Sequence, residues 1–211
     1  MKKSNTLLFL LIVLLSSCSS LFTSCSSDDD EVNQESLLPP ITTTGENTFG
    51  CLIDGKYFRP RDGRRTVNSD NKGLRILQTE ENNFEIIVTD YQSEKTKSLT
   101  IHLEDLLIDD EGVYTMNVSN GFRGPFGNDH SHAFGRFWKN DEVGYQRYRT
   151  YNGSGSVNIS RREYNEELNY HVISGIFEIN LINSNDATDT LRFALGRFDV
   201  DGFTFADQRF P

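Results

Sequence analysis

Cysteine, proline and histidine are scarce in this chain, and each shortage excludes something. Three cysteines are present, Cys18, Cys25 and Cys51, and two of them lie in the first 25 residues. The single cysteine left over cannot build a disulfide framework, so stability must come from a buried core. A unit of about 165 residues is large enough to bury roughly 70% of its surface. Five prolines among 211 residues argue against a proline-rich fibrous chain. Basic charge is also in short supply. Lys and Arg number 21 against 31 Asp and Glu, and without Lys2 and Lys3 the net charge is about −12. Such a chain repels nucleic acid and anionic surfaces except where basic residues cluster. No apolar run approaches the ~20 residues of a spanning helix. There is no internal repeat, Gly-x-Ser-x-Gly elbow, His-Glu-x-x-His motif or phosphate loop.

The N-terminus is an address. Lys2 and Lys3 precede the apolar stretch Leu7–Leu15, and small residues then lead into cysteine. This is the layout of a secretory signal, and residues 1–24 are set aside from the fold. Both "LSSC", ending at Cys18, and "FTSC", ending at Cys25, resemble the lipobox of bacterial lipoproteins. That resemblance implies a diacylglycerol on the cysteine thiol before the leader is cut. "CSSDDDE" further resembles the acidic export tag of Bacteroidetes lipoproteins, which implies the outer leaflet of the outer membrane. Asp28, Asp29 and Asp30 follow Cys25 closely and Cys18 only at a distance, which favours Cys25 and keeps Cys18 as the alternative. An acidic run is also a solvated part of a tether, and the two roles are compatible. Residues 25–46, rich in Ser, Thr, Asp and Asn with Pro39-Pro40, read as a flexible acidic tether.

From residue 47 the pattern has a period of two. "TFGCLIDGKYFRP" predicts a hairpin turning at Asp54-Gly55, with Cys51 opposite Phe58 and Phe49 opposite Pro60. Cys51 then packs as a small apolar residue. Leu99, Ile101 and Leu103 share a face, with Thr100, His102 and Glu104 on the other. Tyr114, Met116 and Val118 align, as do Val157 with Ile159, and Ile173, Phe177, Ile179 and Leu181. Leu191, Phe193 and Leu195 give way to Phe198 and Val200 across Gly196, which suggests a bulge. "LRILQT" and "FEIIVTDY" read as an antiparallel pair, and Arg161–Leu168 as one helical turn or a hairpin tip. About ten short strands without a long helix predict one all-β domain over 47–211. Either an antiparallel sandwich or a closed barrel, lipocalin-like forms included, fits the alternation.

"TFGCLIDGKYF" at 48–58, "SGIFEINLIN" and "GRFDV" at 196–200 resemble an uncharacterised family of Bacteroidetes lipoprotein domains. Such domains open on a Phe-Gly-Cys-Leu-(Val or Ile)-(Asp or Asn)-Gly hairpin and close on a Gly-Arg-Phe-Asp-Val strand. The resemblance implies a lipid-anchored all-β domain and transfers no catalytic residue. This chain departs from the pattern by continuing through Asp201–Pro211.

Candidate chemistry is sparse. "NDHSH" brings His130 and His132 together with Asp129, but a zinc site needs three or four protein ligands, and the segment reads first as a solvated loop. Residues 122–151 hold eight aromatics, among them Trp138, Tyr145, Tyr148 and Tyr151, interleaved with Arg123, Arg136, Arg147 and Arg149. Tyr145, Arg147, Arg149 and Tyr151 fall on one strand face. Aromatic and Arg side chains together suit a sugar or a partner protein. The competing reading is a core edge covered by Arg stems. Carboxylates at Asp109, Asp110, Glu111, Glu163, Glu166 and Glu167 sit in apparent turns, without the placement across a sugar that a glycosidase requires. "DTL" at 189–191 resembles an O-glycosylation acceptor of exported Bacteroidetes proteins, and Thr190 also suits the start of a strand. The expectation is a lipid-anchored, non-catalytic binding module without cofactor, for a glycan, small ligand or envelope protein. The alternatives are a hydrolase with an unrecognised site and a structural envelope component.

Overall fold

The computed structural model describes residues 32–78, 82–107, 111–127, 129–165 and 170–211. The leader, Cys18, Cys25 and Asp28–Asp30 lie outside them, as do Asp109, Asp110, Glu166 and Glu167. The described residues form eleven strands: β1 Thr48–Ile53, β2 Lys56–Phe58, β3 Leu74–Gln78, β4 Phe84–Asp90, β5 Lys97–Leu103, β6 Gly112–Thr115, β7 His132–Trp138, β8 Tyr145–Arg149, β9 Gly155–Asn165, β10 Tyr170–Asn183 and β11 Asp186–Asp201. The only helices among the described residues are short 3-10 turns. The predicted all-β class is therefore the observed one.

The strands pair in the order β2-β1-β11-β10-β8-β7-β5-β4-β3, while β9 branches from β10 and carries β6. Every ladder is antiparallel. The sheet does not close, so the fold is sandwich-like and the closed barrel is excluded. Pro60 stops β2, because it has no N–H to give to a ladder. Beyond it one isolated parallel bridge, Arg61 to Asp90, links the β2 end to β4. That bridge is clamped by the Arg61 guanidinium, whose Nε and Nη2 each lie 2.7 Å from an Asp90 carboxylate oxygen.

The opening hairpin forms as its residues dictate. Asp54 and Gly55 take φ of +48° and +80°, the two positive values of a type I′ turn. Cys51 stands opposite Phe58 and is fully buried. Burial pushes its thiol pKa well up, so Cys51 packs as an inert apolar group.

Along β11 the face switches as expected, but the bulge lies one residue earlier than the glycine suggests. Between the pairs Phe177–Gly196 and Ile179–Phe193, Glu178 of β10 faces both Ala194 and Leu195 of β11. Leu195 takes a φ of +52°, a costly value for a residue with a Cβ. Gly196 serves packing instead, since a Cβ there would lie 2.4 Å from the Phe177 ring.

The inward side chains of β1, β4, β5, β7, β9, β10 and β11 form one apolar cluster, including Phe84, Ile101, Phe177 and Phe193. Val118, aligned with Met116 by alternation, is instead half-exposed, because β6 ends at Thr115.

The compact unit runs from Gln34 to Pro211, so the expected tether is shorter than residues 25–46. The backbone N–H groups of Thr44, Gly45 and Glu46 donate to the Asp199 carboxylate at 2.9 to 3.1 Å. Ser174 Oγ donates to it at 2.6 Å. Tyr57 N–H donates to Gln34 Oε1, and Arg197 Nη1 to the Pro39 carbonyl. Polar composition suggested a solvated linker, but here the backbone of that segment satisfies a buried carboxylate.

Candidate functional site

The register of three neighbouring strands assembles the site. On β7, Ala133, Gly135 and Phe137 point inward, which leaves Phe134, Arg136 and Trp138 on the outer face. Their partners on β8 are Arg149, Arg147 and Tyr145. On β5, Thr100 stands opposite Phe134 and Ser98 opposite Arg136. One continuous outer patch results, with two arginines directly opposite each other.

A groove of about 860 Å³ lies over this patch. Its floor is Phe134, Arg136, Arg147 and Arg149, with Ser98 and Thr100 alongside. One rim is the loop bearing Asn120, Phe122 and Arg123, and another is Ser184-Asn185 of the β10–β11 turn. Four arginines line the groove and no carboxylate does. Among the described residues none of the four is in an ion pair. Arg136 lies over the Tyr145 ring at 4.4 Å, and Arg123 Nε donates to Thr100 Oγ1 at 3.1 Å. Desolvation, followed by the nearby charge of Arg75, pulls Arg123 below the ordinary guanidinium pKa.

The loop of the Phe122 rim also seals a buried polar row. Glu85, His102 and His132 are adjacent across β4, β5 and β7 and have almost no solvent exposure. Glu85 Oε1 accepts the Gly124 N–H at 2.9 Å and lies 3.1 Å from His102 Nδ1. His132 Nδ1 donates to the His130 carbonyl at 2.7 Å, and its ring stacks on His102 with centroids 4.6 Å apart. Burial raises the Glu85 pKa, but the His102 and Gly124 hydrogen bonds outweigh it and hold the carboxyl below its usual range. Burial also lowers the His132 pKa to about 4. Glu85 Oε2, His102 Nε2 and His132 Nε2 are buried with no partner among the described residues.

The sequence-predicted surface residues separate in the structure. Tyr145, Arg147 and Arg149 line the groove. Trp138 does not line it: it meets Tyr145 edge-on at 5.0 Å and is capped by Lys95 at 4.0 Å. Tyr148 faces the other way, because it alternates with Arg147 and Arg149. Its ring packs edge-on against Phe137 in the core, and its hydroxyl donates to Asp189 at 2.9 Å. Burial and the Asp189 carboxylate together push the Tyr148 pKa up to about 12. Tyr151 lies beyond the end of β8, partly exposed and away from the groove.

His130 and His132, the weak metal candidates of the sequence, do not share the solvated loop expected there. His132 is on β7 and buried, whereas His130 Nε2 donates to the Val118 carbonyl at 2.8 Å. Among the described residues no three His, Cys, Asp or Glu side chains are grouped to hold a metal ion. Alternation placed Thr100 and His102 on a solvent face and gave Glu85 no role. All three are buried, and Arg123 and Gly124 of the Asn120–Gly127 loop reach Thr100 and Glu85, a crossing that no local pattern announces.

Comparison with protein-family models, curated proteins and solved structures finds no match.

Proposed function

We propose that this protein is a non-catalytic binding module, held at the bacterial outer membrane by lipid on Cys25, or alternatively Cys18, and exposed at the cell surface. The groove over β5, β7 and β8 is its binding site. The observation that carries this reading is the concentration of arginine and aromatic side chains, with no carboxylate, in one open groove. Its volume falls within the range of ordinary ligand sites. Phe122, more than half exposed, offers an apolar face at the rim. Acyl chains on the N-terminal cysteine anchor by burying methylenes at about 0.8 kcal/mol each, and more than one chain makes release slow.

A glycan array probed with the full chain tests the groove. Phe122→Ala and Tyr145→Ala are expected to weaken any glycan signal, whereas a signal unchanged in both variants refutes the assignment. The anchor has its own test. Cys25→Ser is expected to move the protein from the membrane to the soluble fraction, and Cys18→Ser to do so if Cys18 carries the lipid. Retention of the double variant in the membrane contradicts lipid anchoring.

The hydrolase alternative has one place to stand. A second cleft, about 570 Å³, is lined by Glu104, Asp105 and Glu111 beside β6. Turnover of an aryl glycoside that disappears in both Glu104→Gln and Glu111→Gln would favour it over the binding module.

A further inference from the structure

We infer that the groove takes an acidic saccharide, whose carboxylate or sulfate group sits between Arg136 and Arg147. The inference rests on the proposed binding role of this groove and names its ligand class.

A pair of like charges sets the requirement. Arg136 on β7 and Arg147 on β8 stand directly opposite. Directly opposed side chains have Cβ atoms about 5 Å apart, and like charges there destabilise a sheet. Arg149 follows two residues after Arg147, and Arg123 reaches in from the rim. No carboxylate among the described residues forms an ion pair with any of the four, although the charge of buried Glu85 acts on Arg123 from beneath the loop. The chain as a whole is acidic, with 31 Asp and Glu to 21 Lys and Arg, these four arginines included. Acidic residues are thus plentiful for neutralising this patch, and none stands in it. An oxyanion supplies the missing charge, and planar guanidinium groups suit a carboxylate or sulfate through paired N–H donors.

The remaining lining suits a sugar around that anion. The groove is far larger than one small oxyanion requires. Ser98, Ser184 and Asn185 place neutral polar groups along it. Such groups match hydroxyls. Phe122 and Phe134 supply flat apolar surface for the C–H face of a pyranose ring. A long nucleic acid is disfavoured, because the negative field of the whole chain would oppose it beyond the groove.

The experiment titrates the full chain, in detergent, with four probes: oligogalacturonate, a heparin-type sulfated oligosaccharide, a neutral malto-oligosaccharide and sodium sulfate. At least one acidic saccharide is expected to bind, and the two arms report whether carboxylate or sulfate is preferred. Arg136→Ala and Arg147→Ala should each weaken that binding about tenfold or more, since hydrogen bonds to charged groups are the strong ones. Added salt should weaken it too. Arg147→Ala should not lower the melting temperature, because it relieves a repulsion, whereas Arg136→Ala relieves the same repulsion but gives up the contact with the Tyr145 ring. Lower melting temperatures in both would assign the arginines to structure and overturn the inference. Equal affinity for sulfate alone would reduce the groove to a small-ion site and also overturn it. Neutral oligosaccharide binding that survives both arginine variants but fails in Phe122→Ala would refute the acidic ligand and leave the binding module standing. Binding of no saccharide at all would refute both.

Discussion

Tyr148 and its neighbours Arg147 and Arg149 show how much one position decides. Alternation sends the two arginines outward and the tyrosine into the core, where its hydroxyl reaches Asp189. Burial raises the Asp189 pKa, but hydrogen bonds from Lys139, Asn183 and Tyr148 outweigh it and hold the carboxyl low. Tyr148→Phe keeps the ring and loses the hydrogen bond, so it should cost about 1 kcal/mol. Tyr148→Ala leaves a cavity and should cost about 3–5 kcal/mol. Denaturant unfolding distinguishes these outcomes, and neither change should single out the groove. His132 sets a pH limit. Its pKa falls from 6.5 to about 4 in the fold, so the unfolded chain binds the proton more readily. Stability is therefore complete above about 6.5 and declines as pH falls toward 4, by up to about 3 kcal/mol. Glu85 on β4 adds to the loss at the acid end, because its carboxyl is also held low. His102 on β5 and His130, two residues before His132, are the other titratable rings packed beside it. His132→Phe should flatten the melting-temperature profile between these limits, and a profile parallel to the native one would contradict this origin.

At the scale of the strand, the hairpin and the inward faces were legible because their signals are local. Asp54-Gly55 fixes a turn, and that turn fixes Cys51 against Phe58. The groove was legible only in part. Tyr145, Arg147 and Arg149 are two apart, so a period of two aligns them. Arg136 joins them through strand pairing, and Arg123 through a loop that crosses the sheet. The loop also hides Glu85 and His102, whose polar character reads as exposure when taken alone. The β11 bulge is a further case. A glycine at the face switch points to Gly196, yet Leu195 holds the positive φ, while the glycine gives room to Phe177. Gly196→Ala is therefore expected to destabilise by about 1–3 kcal/mol through overpacking, as read by thermal unfolding. A neutral outcome would mean that the Phe177 ring moves aside freely.

Across the described fold, a single apolar cluster supports two different outer surfaces. One is the arginine groove on β5, β7 and β8. The other, on β9, β10 and β11, has exposed Ile176 and Leu195 and lacks that positive concentration. The end of the segment 34–46 is held to β11 by the backbone N–H groups of Thr44, Gly45 and Glu46, which donate to the Asp199 carboxylate. Amide chemical-shift mapping of the full chain during titration with an acidic oligosaccharide compares the two surfaces directly. The groove reading expects the largest shifts at Ser98, Thr100, Phe134–Arg136, Arg147–Arg149 and Phe122–Arg123. Shifts confined to the outer face of β9, β10 and β11, with those residues unmoved, would contradict it.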